Sequence, residues 1–167
     1  SKCKNLFPKK KLFIQTPGYP DYKININNIR PSIKEIFDKK EKIIFFVGRY
    51  RHYKGIEKLK LVIKQNYNWK FVIFNNNVNF FLKLKKLKNV NFFFNTNEDE
   101  KFFAFKNSYV HIFPSDNKAE SFGLTLLEAQ ISACPSIIYN IKTGVNEIIT
   151  NNFNGICIDN LNEPLSI

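Results

Sequence analysis

Tyr109-Val-His-Ile-Phe113 runs into Pro114-Ser115, and a few residues later comes Glu120-Ser-Phe-Gly-Leu-Thr-Leu-Leu-Glu128. The first run is apolar and short, as a buried strand is. Pro114 stops it. Gly123 stands where a helix opens, and an acid flanks that opening on each side. The stretch therefore reads as strand, loop and helix N-terminus. A helix N-terminus carries unpaired backbone N–H groups and partial positive charge, which suits a phosphate.

Working outward, the same alternation repeats. Ile43-Ile-Phe-Phe-Val47 is a continuous apolar run ended by Gly48. Runs of that kind are strands buried on both faces of a parallel sheet. Ile56, Leu59 and Ile63 recur at helical spacing. Phe71-Val-Ile-Phe74 is a second strand, stopped by Asn75-Asn-Asn77. Val78 to Leu87 reads as a helix, Val90 to Phe94 as a strand, and Glu98 to Lys106 as a helix with acids in its first turn. On the helix from Gly123, Leu124, Leu127 and Ile131 are expected on one buried face. Pro135 closes that helix. Ser136 to Tyr139 is a fifth strand, Val145 to Thr150 a short helix and Gly155 to Ile158 a last strand.

The whole is an α/β chain, a Rossmann-like doubly wound parallel sheet. The regular pattern spans residues 41–167. Residues 1–40 read differently: a strand at Leu12-Phe-Ile-Gln15, a turn at Thr16-Pro-Gly-Tyr-Pro20, a linker over Asn25 to Pro31 and a short helix over Ser32 to Asp38. The chain has no Met, so it is expected to be a piece of a longer protein.

Composition narrows the partners. Apolar residues make up 44% of the chain and Phe alone supplies 18, enough for a real core. No apolar run approaches the roughly 20 residues that span a bilayer, and no secretory leader is visible. Cys3, Cys134 and Cys157 show no CxxC pair, so free thiols in a reducing cytosol are expected rather than a disulfide or metal framework. The net charge of +12 fits a nucleic-acid domain or one working at an anionic membrane face. The lysines are spread along the chain, however, and no RNP-type motif or zinc-finger spacing accompanies them. A solvent-facing role is the reading, with no nucleic-acid partner.

In a doubly wound sheet, ligands bind beyond the carboxyl ends of the strands. Three loops share that rim. The first is Gly48-Arg-Tyr-Arg-His-Tyr-Lys-Gly55, where Arg49 and Lys54 could approach a diphosphate. The second carries Ser115, Glu120 and Phe122 into Gly123 and Leu124; beyond it Thr125 and Glu128, three apart, share a side of the helix. Carboxylates beside a phosphate site accept hydrogen bonds from sugar hydroxyls, so the combination points to a sugar nucleotide. The third is Thr143-Gly-Val-Asn-Glu147. His52 and His111 have no Ser or Cys partner by spacing, so a triad is unsupported; His111 reads as core. No Asp-x-Asp pair is present, and no metal is expected.

Taken together, Gly48-Arg49, Lys54-Gly55, Pro114-Ser115, Glu120-x-Phe122-Gly123-Leu124, Glu128-Ala129, Pro135, Gly144-x-x-Glu147 and Asn154-Gly155 resemble the C-terminal half of retaining GT-B glycosyltransferases of the family 4 type. The match runs from about Lys42 to Asp159. The resemblance implies a donor-binding domain for a nucleotide-diphosphate sugar, with no other cofactor. It implies that Arg49 and Lys54 neutralise the diphosphate leaving group and that Glu120 holds the donor sugar. Gly48, Ser115 and the backbone from Phe122 through Gly123 and Leu124 to Thr125 would line the sugar and phosphate, and Glu128 would bind the ribose. Base contacts would come from backbone near Asn95 to Asn97. It further implies metal-independent transfer with retention, a missing N-terminal GT-B domain that residues 1–40 would connect to, and a glycan or lipid-linked acceptor. The cytoplasm, or the cytoplasmic face of a membrane, is the implied location. The isolated chain should show no transferase turnover. The alternative is a non-catalytic nucleotide-sugar-binding or scaffold domain of the same fold. Three segments depart from the family pattern. Asn75-Asn76-Asn77 replaces a Gly-x-Gly turn, where positive φ at Asn is the expected remedy. Ala133 stands at a glycine position, and Thr143 precedes Gly144 in place of a second glycine.

Overall fold

The computed structural model describes residues 22–39 and 41–159. The expected strand at Leu12 to Gln15 and the turn at Thr16 to Pro20 lie outside them. The six strands are β1 (Ile43–Val47), β2 (Lys70–Phe74), β3 (Val90–Phe93), β4 (Val110–Phe113), β5 (Ser136–Tyr139) and β6 (Gly155–Ile158). Six α-helices are described: α1 (Pro31–Asp38), α2 (Ile56–Gln65), α3 (Val78–Leu84), α4 (Glu98–Asn107), α5 (Leu124–Ile131) and α6 (Val145–Ile148). The sheet is parallel throughout, in the order β3-β2-β1-β4-β5-β6. The order reverses between β1 and β4, so a crevice opens there at the carboxyl ends.

Strand alternation divides the core in two. Ile44 and Phe46 of β1 join Phe71 and Ile73 of β2 in a cluster closed by Leu59 and Ile63 of α2 and Phe80 and Leu84 of α3. Ile43 and Phe45 join Val72 and Phe74 on the other face, under Ile33 of α1, Phe105 of α4 and Ala129 of α5. Both faces are covered, which is why these strands read as unbroken apolar runs. Ile29 and Ile33, before β1, are buried in the second cluster.

Several boundaries differ from the sequence reading. α3 stops at Leu84 instead of Leu87, because a turn in which the Leu87 amide donates to the Leu84 carbonyl, at 2.8 Å, swings the chain back toward β3. α6 stops at Ile148, since Ile149 is already extended. β3 ends one residue earlier than expected and β4 begins one later. The buried face of α5 also differs. Leu126 and Ala129 face the core, while Leu124 is 53% exposed and Ile131 40% exposed. That helix is apolar almost all round, so spacing alone does not select the stripe that packs.

α4 is held at its N-terminus from two sides. Asn97 and Glu100 form a reciprocal capping box. Glu100 also accepts from Arg30, with Arg30 Nε at 2.6 Å and Nη2 at 2.9 Å. Asp99 accepts from the Asn25 amide at 2.8 Å and from Asn28 Nδ2 at 2.7 Å. Residues that read as a linker, Asn25 to Pro31, are thereby strapped onto the sheet domain.

Candidate donor-binding site

A cavity of about 720 Å³ lies at the carboxyl ends of β1 and β2, beside the point where the strand order reverses. Gly48, Arg49 and Arg51 line it from the loop after β1. Asn75, Asn76 and Asn77 line it from the loop after β2, and Thr96 and Asn97 from the loop after β3. Glu98 and Lys101 of α4 and Thr125 and Glu128 of α5 close the wall. Of the residues singled out from sequence, the cavity gathers Gly48, Arg49, Thr125 and Glu128. Lys54, Ser115, Glu120, Phe122, Gly123 and Leu124 are not in its wall; Glu120, Phe122 and Gly123 lead into α5, which Leu124 begins, and Lys54 and Ser115 stand on the loops after β1 and β4.

The loops are tied to one another. Asn75 Nδ2 donates to the Gly48 carbonyl, and Asn75 Oδ1 accepts from the Asn77 amide at 2.7 Å. Asn77 then caps α3 through the Phe80 amide at 2.9 Å. The tripeptide thus works through side-chain hydrogen bonds. Positive φ, the expected remedy, occurs at Asn95 and not at Asn75, Asn76 or Asn77. Ala133 does adopt a φ of 55°, the left-handed conformation that a glycine there would take. The Gly144 amide donates to the Ser121 carbonyl at 3.0 Å, which joins the third loop to the second.

Gly55 has a φ of 64°, and a Cβ there would lie 1.8 Å from the Pro114 carbonyl oxygen. The loop after β1 therefore packs directly on the loop after β4. Lys54 beside it reaches across to Glu120 in an ion pair between side chains that are 15% and 11% exposed. The Lys54 ammonium also lies 5.1 Å from the centre of the Phe113 ring. Gly123 opens α5 with a φ of 80° and offers no side chain as a cap. The first turn of the helix is left without a side-chain cap.

Two buried polar atoms of α5 itself, Thr125 Oγ1 and Glu128 Oε2, and others on the rim loops (Ser115 Oγ, Thr143 Oγ1) and in the core (His111 Nε2), have no hydrogen-bond partner among the described residues. Such groups are few in native folds and call for an explanation; a ligand is a common one. Glu128 Oε1 accepts from Lys101 Nζ at 2.7 Å, and Lys101 also bonds Glu98. Burial alone would push the Lys101 ammonium down, but those two hydrogen bonds outweigh it and hold its pKa above the ordinary value.

Lys101, Arg51 and Asn75 did not stand out in the sequence as site residues. Arg51 lay in a loop already of interest. Lys101 carried no signal, since lysines are spread throughout this chain and only the packing of α4 against α5 turns this one inward. His111 is fully buried, surrounded by Phe45, Phe105 and Phe113, and burial pushes its pKa down to about 3. It is a core residue. Among the described residues no cluster of three or more His, Cys, Asp or Glu side chains could hold a metal ion. No helix among them is long and apolar enough to cross a membrane.

Known proteins resemble this chain in sequence and in fold. D-rhamnosyltransferase WbpZ of Pseudomonas aeruginosa is 28% identical over 150 residues, which cover 84% of this chain but only 37% of WbpZ. The structure of TarM is similar with a TM-score of 0.58 and 27% identity, over 73% of this chain and 26% of TarM. Sucrose-phosphate synthase of Thermosynechococcus elongatus shares the fold with a TM-score of 0.66 and 19% identity, over 85% of this chain and 38% of the synthase. So does Anabaena HepE, solved in complex with UDP and glucose, with a TM-score of 0.61 and 15% identity over 80% of this chain and 41% of HepE. The sheet, the flanking helices and these neighbours make the fold that of a C-terminal GT-B-type domain. The family model described as "Glycosyl transferases group 1" matches residues 29–164, and the chain belongs to that family of glycosyltransferases.

Proposed function

We propose that this chain binds a nucleoside diphosphate sugar and, as part of a two-domain enzyme, transfers the sugar to an acceptor with retention of configuration. The observation that carries the reading is the polarity of the cavity. Arg49 and Arg51 stand on the loop after β1, and Glu128 with its unpartnered Oε2 stands on α5. A nucleoside diphosphate has the matching polarity, with anionic phosphates at one end and a ribose diol at the other. HepE, a protein of the same fold, was solved with UDP and glucose.

The chemistry follows from charge. As the bond between the anomeric carbon and the phosphate oxygen breaks, negative charge grows on the departing diphosphate. Arg49 and Lys54, with the uncapped amides opening α5, stabilise that charge in place of a metal ion. Glu120, already paired with Lys54, accepts hydrogen bonds from donor-sugar hydroxyls. Glu128 accepts from the ribose. The chain spans 37% of the length of its curated relative, so the acceptor site belongs to a partner domain in this reading.

Calorimetric titration with UDP, GDP and ADP tests the proposal, with Arg49→Ala and Glu128→Ala alongside. Saturable binding of one nucleotide, weakened about tenfold or more in each variant, is the expected result. Wild-type protein that binds none of the three would overturn it.

A further inference from the structure

We propose that Lys101 is a positioning residue that fixes Glu128 as a one-oxygen receptor for the ribose diol; the inference rests on the donor-binding reading above. The lysine is not a solvent-facing one. Its side chain is 13% exposed, and that of Glu128 is 7% exposed. A cation this buried is retained only when paired. Its partners are both carboxylates on the cavity wall: Glu98 at 2.8 Å on its own helix and Glu128 at 2.7 Å on α5.

The division of oxygens is specific. Lys101 occupies Glu128 Oε1, while Oε2 has no partner among the described residues. An ionised carboxylate accepts several hydrogen bonds, so a buried, unpartnered oxygen on a residue that lines the cavity has capacity left for donors brought by a ligand. The ribose hydroxyls are such donors. Without the ammonium, Glu98 and Glu128 would face each other as like charges. Glu128, with its free torsions, would swing away from this geometry, and the receptor would lose its aim. Lys101 stands on α4 and Glu128 on α5, so the pair also locks the two helices that form this wall. α4 is itself fixed through its capping box and Arg30.

The test compares ribonucleotides with deoxyribonucleotides. UDP, GDP and ADP are titrated into the 167-residue chain, followed by the 2′-deoxy and 3′-deoxy forms of whichever binds best. Wild type should prefer the ribonucleotide over at least one deoxy form by about tenfold. In Lys101→Met the preference should fall below about threefold, in Lys101→Gln likewise, and Lys101→Arg should restore it. Thermal melting of each variant reports folding, and the Gln variant carries the test if the Met variant does not fold. A wild-type preference that persists in both variants would overturn the positioning role while leaving the donor site standing. A wild type that binds none of the three diphosphates would overturn the donor site itself, and the role of Lys101 with it.

Discussion

At the scale of single residues, two glycines join rim loops to the helices that follow them, and they differ in what surrounds them. Both adopt positive φ, 64° at Gly55 and 80° at Gly123, so any side chain there is strained. A Cβ on Gly55 would meet a backbone carbonyl, that of Pro114, at 1.8 Å. A Cβ on Gly123 would meet the ends of Leu126 and Phe113, each at 3.1 Å, and side-chain ends can yield. Gly55→Ala should therefore cost about 3 kcal/mol or more, and Gly123→Ala about 1–2 kcal/mol. Urea unfolding of the two variants gives the ranking; equal costs would mean that the Pro114 loop moves freely. Neither cost could be read from sequence. Gly55 is visible there as the end of a loop, but its closeness to Pro114 depends on β1 and β4 being neighbours.

At the scale of elements, the sequence exposes what depends on local pattern and hides what depends on contacts across the fold. The strands β1 and β2 are legible because a strand buried on both faces leaves an almost unbroken apolar run. The capping signal of Asn97 and Glu100 is likewise local, three residues apart. The partner of Glu100 is not local: Arg30 lies 70 positions earlier, in a segment that reads as a linker. The same limit explains the site. Thr125 and Glu128 come together because helix geometry puts them on one side, whereas Lys101 reaches Glu128 only after α4 packs on α5. The Arg30–Glu100 pair offers a test of how far this tie stabilises the domain. Glu100 is 1% exposed, and removing its partner leaves a buried carboxylate underpaired. Arg30→Ala should cost about 2 kcal/mol at pH 7. Burial opposes ionisation of Glu100, but Arg30 and the Asn97 amide hold its pKa below the ordinary 4.5. A carboxylate depressed in the folded state contributes its stability above the unfolded pKa and loses it as pH falls through the folded one. The gap between wild type and variant should therefore be full above about pH 5 and shrink on further acidification. Denaturant curves across that range measure it; a gap independent of pH would assign the cost to lost packing of the arginine stem.

At the scale of the whole molecule, the parallel sheet gathers its rim loops at one end, and their charge decides what ligand they could hold. The chain carries a net charge of +12, yet the cavity does not simply share that excess. Its wall combines Arg49 and Arg51 with the carboxylates Glu98 and Glu128 and with Lys101. Arginine binds phosphate through a planar fork of donors, and it keeps its charge at any pH the fold survives. On the function proposed above, these side chains, with Lys54 and the opening turn of α5, would do for a diphosphate what a divalent ion does elsewhere. In this reading the second phosphate is bound by protein cations alone. A nucleoside diphosphate should then bind about tenfold or more tightly than the corresponding monophosphate. That ratio should be the same with millimolar magnesium and with EDTA in its place. Competition titrations of the two nucleotides under both conditions give the answer. A preference for diphosphate that appears only with magnesium would mean that the arginines do not reach the second phosphate and that a metal carried in with the nucleotide does.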